Sequence, residues 1–416
     1  MTTDPDARIR AAIDRDRLLR CLADLVACRS VGGAEQEVQL CAAEWMRTCS
    51  MDVDQWDIDF DVLARHAAYT VEIERTEGIG VVGAFGSGTG KTLIVDAHVD
   101  VVPAGDPDRW SVPPWEATVR NGRVYGRGAL DVKGGLCCAL FAVKALQDAG
   151  VTIPGRVLVQ SVIGEEDGGC GTLAAIARGY RGDAAIAIEP TMMTIATAQA
   201  GALNFRITVE GRAAHGCVRD QGESAIEHFY PIFDALNRFE RERNSAVDDQ
   251  RWSGYRIPFA INIGRIHAGD WGSTVPGTLV ADGRFGIAPG EALEDARHAF
   301  EACVSQCAKR HAWLAGHPPC VEWVGAQFAS ATVPNDHEVV STICGALETV
   351  KDERPAITGM PFGSNARLLI HEAQTPAVVF GPGDIRRAHA PDEWVAIDDL
   401  IDATRVLALT ILRFCR

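Results

Sequence analysis

Residues 92–100 read Thr92-Leu93-Ile94-Val95-Asp96-Ala97-His98-Val99-Asp100, an apolar, β-branched run that closes on a histidine among carboxylates. A strand whose successive residues are all apolar, rather than alternating with polar ones, is buried on both faces. That is the habit of parallel sheets covered by helices on each side. In open sheets of this kind ligands collect outside the carboxyl ends of the strands. The stretch therefore predicts a layered α/β fold and places His98 where a ligand would be met. A histidine there is a candidate metal ligand, with Asp100 near enough to hold its other ring nitrogen in the required tautomer. Taken alone, the pair reads more simply as a histidine satisfied by a neighbouring aspartate.

The same style extends outward. Leu18, Leu19, Leu22, Leu25 and Val26 recur at helical spacing, as do Val38, Cys41, Trp45 and Met46. Residues 134–149 read as a buried helix, 156–163 and 184–188 as buried strands, and strands alternating with helices argue for an α/β domain. Near Ala202 the period changes. Leu203, Phe205, Ile207 and Val209 alternate with polar residues, the pattern of a sheet with one wet face. A helix over 223–243, strands around 259–266 and 278–287, and a helix over 292–313 follow. The α/β style resumes after Pro318, with a strand at 377–380 and a last helix over 398–413. The expected organisation is an α/β domain with a mixed sheet flanked by helices, residues 1–199 and 318–416, and an inserted α+β domain at 200–317. Two domains also suit a chain of 416 residues.

Composition narrows the partners. Forty Lys and Arg against 56 Asp and Glu leave a net charge of −16, which repels a phosphate backbone and argues against nucleic acid. With 47% hydrophobic and 23% charged residues the chain is of ordinary globular type. No stretch approaches the ~18–20 apolar residues of a membrane span, and the first twenty residues lack an apolar leader, so a cytoplasmic protein with no membrane partner is expected. Thirteen cysteines, an odd number without a CxxC pair, read as free thiols.

Four further elements carry chemistry. Residues 126–135 (Gly-Arg-Gly-Ala-Leu-Asp-Val-Lys-Gly-Gly) set Asp131 in a glycine-rich turn before a helix, which by itself could be a helix cap. Gly164-Glu165-Glu166-Asp167-Gly168-Gly169 follows a buried strand, and alone reads as a solvated loop. Ile188-Glu189-Pro190 ends another strand, and Ala388-His389-Ala390-Pro391-Asp392-Glu393 follows a glycine-rich turn. Together they supply two histidines and several carboxylates, the donor types of a pair of zinc ions sharing a bridging carboxylate.

In order and surroundings the five elements resemble the M20 metallopeptidases over nearly the whole chain: HxD, GxxDxKGG, GEE, an acidic residue, then a late histidine. The resemblance implies a zinc-peptidase-like catalytic domain with an inserted lid and dimerisation domain. It implies two Zn2+ per subunit, with Co2+ or Mn2+ as substitutes. Asp131 would bridge them, His98 and Glu189 completing one site and Glu166 and His389 the other. Two divalent ions bring about +4, and three carboxylates with a bridging hydroxide about −4, a near-neutral cluster. Glu165 would be the general base towards a water that zinc makes ionisable near pH ~7. His215, in Ala213-Ala214-His215-Gly216, would stabilise the oxyanion, reaching the active site of a partner subunit in a homodimer. Arg284, Arg367 and, more weakly, Asn262 would hold a substrate carboxylate, although each arginine also reads as a surface ion pair.

The implied reaction is hydrolysis of an amide in a small N-acyl amino acid or related molecule, of the acetylornithine deacetylase and succinyl-diaminopimelate desuccinylase type. A di-, amino- or carboxypeptidase, or a binding protein on this fold, are the alternatives. Departures from the family's commoner pattern, Ser273-Thr274-Val275-Pro276 and Ser364-Asn365, fall on the substrate side. The glycines of residues 86–92 only mimic a phosphate loop: Phe85 stands where its first glycine belongs and a strand follows, so a hairpin or loop is expected.

Overall fold

The computed structural model describes residues 4–416; Met1–Thr3, which begin the expected catalytic domain, lie outside the described residues. Two compact units are formed, one from the chain up to Ala198 with Thr332–Thr358 and Ser364–Arg416, the other from Gln199–Ala331 with Gly359–Gly363.

The first unit is built on a mixed sheet, six of whose strands run in the order Asp52–Asp57, Ile79–Gly86, Arg156–Val162, Thr92–His98, Ala184–Ala187 and Ala377–Val379. The last four of these are mutually parallel. The apolar runs of the sequence are these central strands, buried at every residue but the half-buried Thr92 and Arg156 that open two of them. Helices cover both faces. On one, Gln39 of the helix Gln36–Thr48 accepts the Ser161 hydroxyl and donates to the Ser161 carbonyl. On the other, Thr172 of the helix Cys170–Ala177 donates to Asp96 (3.0 Å). The helix Gly134–Asp148 leaves only Lys144, Gln147 and Asp148 incompletely buried, which explains why its sequence is apolar all round. Its Gly135 lies against the strand end: a Cβ there would fall 2.1 Å from Ile188 Cγ2. The glycine-rich segment 86–92 is a connection and not a hairpin, because Arg156–Val162 lies between the two strands it joins.

The second unit is an antiparallel sheet in the order Ile261–Ala268, Thr278–Ile287, Gly201–Glu210, Cys320–Phe328, packed on the helices Ala225–Ser245 and Leu293–Lys309. Ser224 caps the first helix by accepting the Glu227 N–H, a Ser-x-x-Glu start. Leu203, Phe205, Ile207 and Val209 turn inward with no exposed surface, as their alternation requires. The insert was expected to end at 317 and runs to Ala331, because Cys320–Phe328 pairs with Gly201–Glu210. That strand lies at the sheet edge and is mostly half-buried, so its sequence lacks a strong apolar rhythm. Gly359–Gly363 rejoins the unit, the Met360 carbonyl accepting from Ala200 N (2.8 Å).

Phe205 is fully buried with its ring 4.6 Å from that of Phe300. Phe205→Ala is expected to destabilise this unit by about 3–5 kcal/mol, read as a lowered denaturant midpoint of Trp323 fluorescence, since Trp323 packs edge-on against Phe300. A midpoint unchanged from the parent would contradict this account of the core.

Candidate metal centre

The four parallel strands deliver their chemistry at one edge, since their carboxyl ends lie side by side. Thr92–His98 ends on His98; Arg156–Val162 leads into Gly164-Glu165-Glu166; Ala184–Ala187 leads to Glu189; and Ala377–Val379 leads, through a glycine-containing turn, to His389. Asp131 comes from the turn preceding the helix Gly134–Asp148. Its N–H and that of Leu130 both donate to Glu393 Oε1, at 3.3 and 3.0 Å, and the other oxygen of Glu393 accepts from Arg127. Glu393 and Arg127 are buried, so the turn is held from beneath by a buried ion pair.

The side chains converge on Asp131. One of its oxygens lies 3.2 Å from His98 Nε2 and the other 3.4 Å from His389 Nε2, and His389 Nε2 is also 3.1 Å from Glu166 Oε1. Two sets of donors result, His98–Asp131–Glu189 and Asp131–Glu166–His389, the atoms within each lying no more than 4.8 Å apart. The first set is buried, whereas His389 is exposed and opens the centre to solvent. His389 also has φ of +57°, an uncommon conformation for a side chain of this size, as functional residues often do.

Asp100 reaches the other ring nitrogen of His98 through its backbone. His98 Nδ1 is held by the carbonyl of Asp100 (3.0 Å), while the carboxylate stands at 3.7 Å. That carboxylate accepts instead from the N–H groups of Glu165 (3.2 Å) and Glu166 (3.1 Å), because the turn after Arg156–Val162 presents both donors to it. One residue thus orients a histidine and braces the acidic turn.

The charge balance is telling. Four buried or half-buried carboxylates, Asp131, Glu165, Glu166 and Glu189, face two imidazoles. Burial, opposed by His98 and reinforced by Glu166 and Asp100, pushes the Glu165 carboxyl up to about 8, and one of its oxygens is buried without a hydrogen-bond partner. Burial likewise raises Glu189 well above the carboxylate range. Burial works against ionised Asp131 too, but hydrogen bonds with His389 and His98 hold it below its ordinary value. Asp131 and Glu166 push His389 up to about 10. Buried negative charge of this density calls for a cation. Imidazole nitrogens with carboxylate oxygens are the donors that zinc and its neighbours accept, so the two sets could hold two metal ions sharing Asp131.

The other anticipated residues belong to neither donor set. Arg367 is only 3% exposed, and its guanidinium donates to the carbonyls of Gly168 (2.7 Å) and Ser364 (3.1 Å), which puts it behind the Glu165 turn and not at a surface ion pair. In the second unit, Arg284 and Asn262 are cross-strand partners, and Arg284 donates to the Pro361 carbonyl (3.2 Å). His215 is exposed and accepts the Cys217 N–H on its Nδ1 (3.2 Å). Sequence reading assigned nothing to Glu393, although it falls inside the stretch that contains His389; no spacing rule reveals that it reaches residues some 260 positions earlier in the chain.

Two histidine-carboxylate sets at the carboxyl edge of a parallel sheet make a candidate metal centre, and the family in which the chain falls is one of hydrolases. The chain belongs to peptidase family M20/M25/M40, whose model matches residues 94–413. It is 29% identical to the N-formyl-4-amino-5-aminomethyl-2-methylpyrimidine deformylase of Bacillus subtilis over 78% of this chain and 79% of that one. It is 30% identical to the acetylornithine deacetylase of Myxococcus xanthus over 82% of this chain and 85% of that one. Human carnosine dipeptidase 1 shares the fold, with a TM-score of 0.77 over the full length of both chains at 15% identity. No helix among the described residues is long and apolar enough to cross a membrane, and the thirteen cysteines are free thiols.

Proposed function

We propose that the chain hydrolyses the amide of a small N-acyl amino acid or related molecule, releasing a short acyl group, with His98, Asp131 and Glu189 holding one zinc ion and Asp131, Glu166 and His389 a second. The observation that carries this reading is the Glu165 carboxylate, buried and with an oxygen left without a hydrogen-bond partner, on the same turn as Glu166. Bound zinc supplies a Lewis acid for the carbonyl and water that ionises near neutral pH; cobalt or manganese could serve in its place. Glu165 takes the proton from the attacking water and passes it to the nitrogen as the C–N bond breaks, so that the water oxygen ends in the acyl carboxylate and the nitrogen leaves as an amine. Asp100 keeps Glu165 and Glu166 in register through their N–H groups.

Arg284, with Asn262 beside it on the neighbouring strand, receives the substrate carboxylate, a task suited to a planar guanidinium. Arg367 supports the acidic turn. His215 donates to the developing oxyanion in a homodimer paired through the inserted unit. Favouring that pairing, Ile261–Ala268 is a terminal strand of its sheet, and Ile266, Trp271, Tyr230 and Phe233 of the same unit are exposed. Free thiols suit a reducing cytoplasm. A deformylase and a deacetylase among the relatives favour a small acyl group.

The test is hydrolysis by the zinc-loaded protein of a mass-spectrometric panel of N-formyl, N-acetyl, N-succinyl and longer N-acyl amino acids, with dipeptides alongside. Cleavage of one acyl class, abolished by chelator and restored by zinc, is the expected result. Cleavage of dipeptides alone would replace the deacylase with a peptidase.

A further inference from the structure

Residues 70–75 run along the turn that carries Glu165 and Glu166. The Glu72 N–H donates to the Asp167 carbonyl (3.1 Å), and the Ile73 N–H to Asp167 Oδ2 (2.9 Å). Gly168 has φ of +141°, and a Cβ there would lie 1.6 Å from the Thr70 carbonyl oxygen, so the two backbones meet where only glycine fits. At the end of this segment Arg75 donates through Nη1 to Asp167 Oδ2 (2.8 Å) and through Nη2 and Nε to Glu35 Oε1 (2.6 and 3.1 Å). The three ionic side chains are almost fully buried, at 1%, 6% and 4% exposed.

A buried carboxylate–guanidinium–carboxylate triad is a poor device for stability, because desolvation of three ions offsets most of their attraction and an apolar trio of similar size often does as well. Its position suggests another use. Asp167 directly follows Glu165 and Glu166, so the acidic turn is held on one side by the Asp100 carboxylate and on the other by Arg75 through Asp167. We propose that Arg75 is a positioning residue for the reaction: anchored on Glu35, it fixes Asp167 and thereby the aim of Glu165 and Glu166. The inference rests on the amidohydrolase reading above.

Two variants test it. Arg75→Lys keeps one charge but cannot fork between Glu35 and Asp167. The triple variant Arg75→Met, Glu35→Gln, Asp167→Asn removes the charges without leaving a buried ion unpaired. Each is measured for melting temperature, for zinc retained after dialysis against graded chelator, and for kcat and KM on the best substrate of the acyl panel. The expected result is folded protein whose kcat is lower by about 10- to 100-fold, whose KM moves by less, and which loses zinc at lower chelator concentration, the usual scale for residues that orient metal ligands. A purely structural role would lower melting temperature without splitting kcat from KM. Folded variants with parental kcat and zinc retention overturn the proposal. The parent measured alongside separates the two readings: failure to cleave any acyl substrate of the panel sinks the amidohydrolase, and zinc retention still decides the role of Arg75.

Discussion

Glu165→Gln is expected to keep its metal and to lose about 10^2- to 10^4-fold in kcat, the range attributed to a positioned proton-transfer group. Glutamine matches glutamate in shape, so the buried site keeps its packing, and the Glu165 N–H that Asp100 accepts is untouched. What disappears is a basic oxygen. Neither donor set includes Glu165, so the zinc content measured by plasma mass spectrometry should equal that of the parent. Stability offers a second readout. In the metal-free protein burial pushes the carboxyl from 4.5 up to about 8, so the folded state binds this proton more tightly than the unfolded one. The contribution is favourable at pH below 4.5 and is lost as pH rises through about 8. Glutamine has no such dependence, so the metal-free variant should gain on the metal-free parent in melting temperature as pH is raised through that window. Parental turnover with full zinc would remove Glu165 from the mechanism.

The fold and the centre were legible for the same reason. Strands buried on both faces must be written in apolar residues, so Leu93–Val95 and 184–188 announced a covered parallel sheet, and the histidines and carboxylates proposed as ligands lie where such strands end. Less could be read where burial is partial or contacts are remote. Cys320–Phe328, half-buried at an edge, has no clear period, and so the insert was ended too early. Arg367 and Arg284 looked alike in sequence, but one is buried behind the acidic turn and the other lies among the strands of the second unit. Asp100 could be read as a partner of the His98 ring, but not through which atom, because a backbone carbonyl leaves no trace in side-chain identity. Glu393 and Arg75 act through partners hundreds or tens of residues distant, and a single sequence does not connect them.

Asp131 sets the sharpest expectation for the centre, because it alone belongs to both donor sets. Asp131→Asn should lower zinc from two ions per chain to none and bring turnover to background. An amide offers one oxygen and one N–H2 group, so it cannot face His98 and His389 with a ligating oxygen on both sides, as the carboxylate does at 3.2 and 3.4 Å. His389→Ala removes a donor from one set only, and should leave one ion, held by His98, Asp131 and Glu189. The backbone at position 131 is fixed by Glu393 through its N–H, which asparagine retains, so circular dichroism of both variants should match the metal-free parent. Chelation should lower the melting temperature of the parent by mass action and leave the asparagine variant unmoved. Two ions in the asparagine variant would show that the sets do not share this residue, and equal stoichiometry in the two variants would show that the metals bind as a single cooperative unit, with the buried set unable to hold its ion once the exposed one is empty.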